Sequence, residues 1–88
     1  MTLPVTFPDG RGEALSFTGE NLACALSRAF APGAPLELSV ALEGDEALSL
    51  RGKTIGSKRR ADGRFDVRLR LLSLRREERE ALRRALPG

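Results

Sequence analysis

Leu36-Glu37-Leu38-Ser39-Val40-Ala41-Leu42 decides the fold class. Leu36, Leu38, Val40 and Leu42 fall on one side of an extended chain, and Glu37, Ser39 and Ala41 on the other. That two-residue period marks a strand with one face in a core. Glu43-Gly44-Asp45-Glu46 reads as a turn. Leu48 and Leu50 resume the alternation. Pairing Leu42 with Leu48 leaves a five-residue loop and keeps both apolar rows on one face.

A second hairpin follows. Phe65, Val67, Leu69 and Leu71 alternate with Asp66, Arg68 and Arg70. A three-residue loop, Ala61-Asp62-Gly63, gives a type I turn closed by Gly63 in the left-handed region. It pairs Arg60 with Arg64 and Ile55 with Leu69, and turns Ile55, Phe65, Val67, Leu69 and Leu71 inward. Inward residues are odd-numbered here but even-numbered at Leu48 and Leu50. The parity must switch between them, and Gly52 is the expected bulge.

Nearer the N-terminus, Leu3, Val5 and Phe7 alternate up to the turn Pro8-Asp9-Gly10. Glu13 to Phe17 and Asn21 to Leu26 read as strands around Thr18-Gly19. Ala31-Pro32-Gly33-Ala34-Pro35 is a turn-rich connector. The period changes after Ser73, a suitable N-cap. Leu74, Ala81, Leu82, Ala85 and Leu86 follow helical spacing until Pro87-Gly88. Arg76 with Glu80, and Glu80 with Arg84, stand at ion-pair spacing on that helix. The apolar stripe is narrow, so the helix should rest on the barrel by one edge. The expected fold is all-β with one helix: a small antiparallel β-barrel of five or six strands (about 3–71) plus a C-terminal α-helix (about 74–86), one domain over residues 1–88.

The chain has 88 residues, 41% of them apolar and 31% charged, which suits one globular domain with a modest core. It has no His, which excludes a His-based triad, metal site or proton shuttle. A single Cys excludes an intrachain disulfide and a Cys-only zinc cage. No apolar run is long enough to span a membrane, and Met1–Gly10 lacks a signal-peptide pattern. A cytoplasmic location without membrane insertion is expected.

Charge is distributed unevenly. Residues 1–50 carry a net −5 and residues 51–88 a net +8. The basic half suggests an anionic partner. Nearly all of it is arginine, with Lys53 and Lys58 the only lysines, which also fits a solvated surface in an Arg-rich composition.

Catalytic patterns are missing. No Gly-rich phosphate loop leads from a strand into a helix. The serines have no His to activate them. Cys24 alternates with Leu22 and Leu26, the setting of a buried thiol. The expectation is a non-enzyme without a cofactor.

At Ala14-Leu15-Ser16-Phe17-Thr18-Gly19 the chain resembles the PilZ domain, the small β-barrel receptor of cyclic di-GMP. The family's motif reads Asp/Asn-x-Ser-x-x-Gly. Ser16 and Gly19 match it, and Ala14 stands where the acidic or amide residue belongs. Phe30-Ala31-Pro32-Gly33 with the strand after it resembles the family's Pro-Gly connector and next strand. Leu48-Ser49-Leu50-Arg51-Gly52 and Gly63-Arg64-Phe65-Asp66-Val67-Arg68-Leu69 resemble its later strands, and Leu74-Arg75-Arg76-Glu77-Glu78-Arg79 its closing helix. The likeness covers residues 14–86.

One part of the pattern is missing. The family's upstream Arg-x-x-x-Arg grips the ligand with guanidinium groups. Only Arg11 precedes Ser16 here. The resemblance therefore implies a degenerate PilZ-like module of cyclic di-GMP-related signalling. Such a module would act as an adaptor or regulator on a protein partner, with weak or no cyclic di-GMP binding. Two alternatives stand beside it. In one, the chain is a true cyclic di-GMP receptor, with Ser16 and Gly19 joined by Arg59 and Arg60 as a substitute clamp. In the other, a basic barrel binds nucleic acid. The surface expected to meet any partner is the outer face of the last hairpin: Lys58, Arg60, Arg64, Arg68 and Arg70. Arg60 opposite Arg64 would be a like-charge pair that either favours an anion or partner carboxylate over it or splays both side chains into water at the turn.

Overall fold

The computed structural model describes residues 2–88. Six strands are laid down in order: β1 (Leu3–Phe7), β2 (Gly10–Thr18), β3 (Asn21–Leu26), β4 (Pro35–Ala41), β5 (Ala47–Arg59) and β6 (Phe65–Leu72). A single helix, α1 (Arg76–Ala85), follows. The strands close into an antiparallel barrel in the order β1-β2-β3-β6-β5-β4. Closure leaves no long free edge, as expected from the sequence. The closing seam is the thinnest: β1 meets β4 at Val5–Val40 and Thr6–Ser39 only.

The first hairpin differs from expectation by two residues. Val40 pairs with Leu48 and Leu38 with Leu50. The Leu42 N–H donates to the Glu46 carbonyl at 2.8 Å, which shortens the loop to Glu43-Gly44-Asp45. Gly44 takes a φ of +76° there. A slip of two keeps every side chain on its face, so the inward row survives the change.

The second hairpin turns where the sequence said. The Arg60 N–H donates to the Arg64 carbonyl at 2.8 Å, and Gly63 sits at φ +88°. Val67, Leu69 and Leu71 are buried, and Phe65 is half-buried against the core. Two expectations fail. Ile55 is 46% exposed rather than inward, and Thr54 takes its place opposite Leu69. The bulge falls at Ile55, between Thr54 and Gly56, not at Gly52.

Both corrections have one cause. The connector pins Thr54 from one side: the Gly33 N–H reaches the Thr54 carbonyl at 2.6 Å, and the Thr54 N–H reaches the Ala34 carbonyl at 2.9 Å. The Ala61–Gly63 turn fixes the register from the other side. The two registers disagree by one residue, and Ile55 is the residue left over. Gly52 serves a different need. It faces the core opposite Leu71, and a Cβ there would lie 2.8 Å from the Arg70 carbonyl oxygen. Its missing side chain provides space, not a bend.

Leu3, Val5, Phe17, Leu22, Leu26, Val40, Val67 and Leu69 belong to one contiguous core. Cys24 is buried among them, and burial pushes its thiol up to about 12, as an inert structural thiol requires. The helix closes one end of the barrel. Ala81 and Ala85 lie across a groove from Leu3 and Leu42, Leu82 is fully buried, and the Pro87 carbonyl accepts the Phe17 N–H at 2.9 Å. The helix begins later than expected. Ser73 is not its cap but turns the chain at φ +53°. Arg75 precedes the first turn, and its N–H donates to Glu78 Oε1 at 2.9 Å. Neither helical ion pair expected from the spacing appears among the side-chain contacts within 4.0 Å. No helix among the described residues is long and apolar enough to cross a membrane.

Candidate binding face

The pairing of four strands builds the outer face. Ser16 lies beside Ala23, Ala23 beside Arg68, and Arg68 beside Gly56, one row across β2, β3, β6 and β5. The next row toward the turn holds Glu13, Ala25, Asp66 and Lys58. The next row toward the helix holds Thr18, Asn21, Arg70 and Lys53. Small residues on β3 leave a shallow trough beside the basic strand. Gly56 deepens it, since a Cβ there would meet nothing within 4 Å.

Lys58, Arg68 and Arg70 are exposed on this face as expected. Arg60 and Arg64 are only partly exposed, and the structure gives them a different occupation. Arg60 bonds to Asp66 through Nη1 and reaches Asp62 through Nε at 3.4 Å. Arg64 grips Asp62 through Nε and Nη2, both at 3.1 Å, and reaches across β3 to Glu13 at 3.7 Å. The hydrogen bond to Asp66 raises the Arg60 pKa. The Arg64 backbone N–H, then its guanidinium, hold the Asp62 carboxyl below the ordinary carboxylate range. The like-charge pair is thus neutralised from within. It calls for no external anion, which corrects the expectation placed on it.

Ser16 and Gly19 sit on β2 and in the β2–β3 turn. Leu15 bulges between Ala14 and Ser16, so Ala14 faces the core, fully buried, while Ser16 faces outward beside Ala23. Gly19 takes φ +78° with open space around its Cα, so conformation alone explains the glycine.

Arg59 and Arg60 do not join them. From Ser16 they lie three strands away, roughly 14 Å across, and then roughly 10–13 Å further along the chain of β5 toward the hairpin turn. The basic residue in the Ser16 row is Arg68. Sequence reading also passed over Lys53 and Arg79, which meet Arg70 at the helix end. Only the register beyond the Ile55 bulge could have paired Lys53 with Arg70.

Comparison with protein-family models, with curated proteins and with solved structures gives no match.

Proposed function

We propose that the chain is a PilZ-like binding module in cyclic di-GMP-related signalling, not an enzyme, and that it engages a protein partner through the outer face of β6. The observation that supports this most is the free charge beside the trough. Lys58 and Arg68 border Ala23 and Gly56, and neither is among the ion pairs that occupy Arg60 and Arg64. A rigid, basic, shallow face suits an acidic protein surface. The six-strand barrel with its closing helix is the architecture that the resemblance implies.

The receptor alternative gains no support from the geometry. Ala14 points into the core, and Arg60 is already held by two carboxylates. Nucleic-acid binding gains none either. Phe7 and Phe17 are buried, Phe30 and Phe65 are packed against the core, and no ring stands on the basic face for a base to stack on.

Calorimetric titration with cyclic di-GMP tests the reading first. No saturable heat is expected at low micromolar ligand, and a submicromolar isotherm would restore the receptor alternative. The face itself is tested by Lys58→Gln with Arg68→Glu; the neutral residue at 58 keeps a second carboxylate away from Asp66, its cross-strand neighbour and the acceptor of Arg60. The double variant should fold normally and lose a one-to-one, salt-sensitive partner. A partner that stays bound to it removes this face from the proposal.

A further inference from the structure

A second like-charge pair lies at the helix end of the same hairpin, and it is short of carboxylate. Lys53 stands directly opposite Arg70. The acid beside them is Glu20, in the β2–β3 turn. It approaches Arg70 Nη2 only to 3.7 Å, and the two side chains are 65% and 66% exposed. Such a contact contributes little. Arg79, from α1, enters the same place. With Glu20, Lys53, Arg70 and Ser73 it lines a cleft of about 440 Å³, walled by Leu71, Leu72 and Leu74. The Arg79 Nε is closed off from solvent and has no hydrogen-bond acceptor. A donor that has lost its water without gaining a partner is costly, and only an acceptor brought to that nitrogen relieves it.

The charge defines the ligand. Three cations facing one carboxylate leave two positive charges uncompensated. A carboxylate ligand would balance one of them; a phosphate monoester carries close to two negative charges at neutral pH. Two guanidinium groups offer planar forks for phosphate oxygens, and a lysine adds a point charge. The volume exceeds what one phosphate needs and falls in the range of small-molecule sites.

We infer that this cleft, formed by Lys53, Arg70, Arg79 and Ser73, binds a phosphate group, free or esterified to a small molecule. The inference stands on different residues from the proposed signalling role, since neither Ser16 nor the Lys58–Arg68 surface enters it. Lack of cyclic di-GMP binding bears on that role alone.

The test is calorimetry with inorganic pyrophosphate and with guanosine monophosphate, using guanosine as the phosphate-free control. Both phosphates should bind saturably and one-to-one, and guanosine should not bind. Nucleotide binding tighter than that of inorganic phosphate, measured in the same way, assigns an esterified ligand, and equal or weaker nucleotide binding a free one. Arg79→Gln and Lys53→Gln should each weaken binding at least tenfold. Arg79→Lys, which keeps the charge and loses the fork, should fall between wild type and Arg79→Gln. Arg83→Gln, on the same helix but outside the cleft, should bind as wild type. Lys53 is exposed, so its variant keeps the test valid if a change at Arg79 disturbs the helix. The inference is overturned if neither phosphate saturates, or if Arg83→Gln weakens binding as much as Arg79→Gln does.

Discussion

The β5–β6 hairpin carries opposed cations at both ends, and the two ends solve the same electrostatic problem differently. At the turn, Arg60 and Arg64 share Asp62, while Asp66 and Glu13 supply two more carboxylates. At the helix, Lys53 and Arg70 have Glu20 alone, and Arg79 adds a third cation. The first end is closed by its own turn chemistry. The second is assembled from the β2–β3 turn, β5, β6 and α1 and left electrostatically unfinished. Like-charge neighbours are therefore not evidence of a ligand by themselves. The count of carboxylates within reach decides.

The largest expected effects lie in the packing that holds the helix end together. Leu82, on the inner side of α1, is fully buried, so Leu82→Ala should cost about 2–5 kcal/mol and loosen the helix. Phe65 at the turn end is only half-buried. Phe65→Ala should stay below the roughly 3–5 kcal/mol of a buried ring. Urea denaturation of both variants measures the contrast. An equal or larger loss at Phe65 would mean that the turn end, not the helix end, anchors the barrel.

The glycines of β5 give the next test. Gly52→Ala forces a methyl against the Arg70 backbone, with an expected cost of about 1–3 kcal/mol and a displaced Arg70. Gly56→Ala meets open space and should be neutral or stabilise by up to about 1 kcal/mol. Reversal of that order, again by denaturation, would return the bulge to Gly52.

The smallest effect is a titration. Asp62 has a lowered pKa in the folded chain, so its contribution is present above its unfolded value of about 3.9 and is lost as pH falls through the lower folded value. The Arg64 amide resonance should follow that lower midpoint. A midpoint at or above 3.9 would mean that the Arg64 N–H bond to Asp62 is not kept in solution.

The sequence disclosed faces better than registers. A period of two sorts inward from outward residues locally, so Leu36 to Leu42 and Val67 to Leu71 read correctly even where the loop length was wrong by two. Ile55 could not be read that way. Its fate depends on a conflict between the Ala61–Gly63 turn and the Gly33–Ala34 connector, and the connector bonds are distant in sequence. Ser73 misled because a hydroxyl before a helical period looks like a cap, while the chain uses it to reverse direction. The candidate face was legible as a row of alternating cations. Its neutralisation was not, because Glu13 reaches Arg64 across β3 and so needs the strand order. Lys53 and Arg79 were invisible for the same reason.

Amide chemical-shift mapping with inorganic pyrophosphate compares the two ends in one titration. The account predicts that the largest shifts gather at Lys53, Arg70, Ser73 and Arg79, while Arg60 to Arg64 stay nearly unmoved. Shifts centred on the Ala61–Gly63 turn, or spread evenly over all exposed arginines, would contradict it.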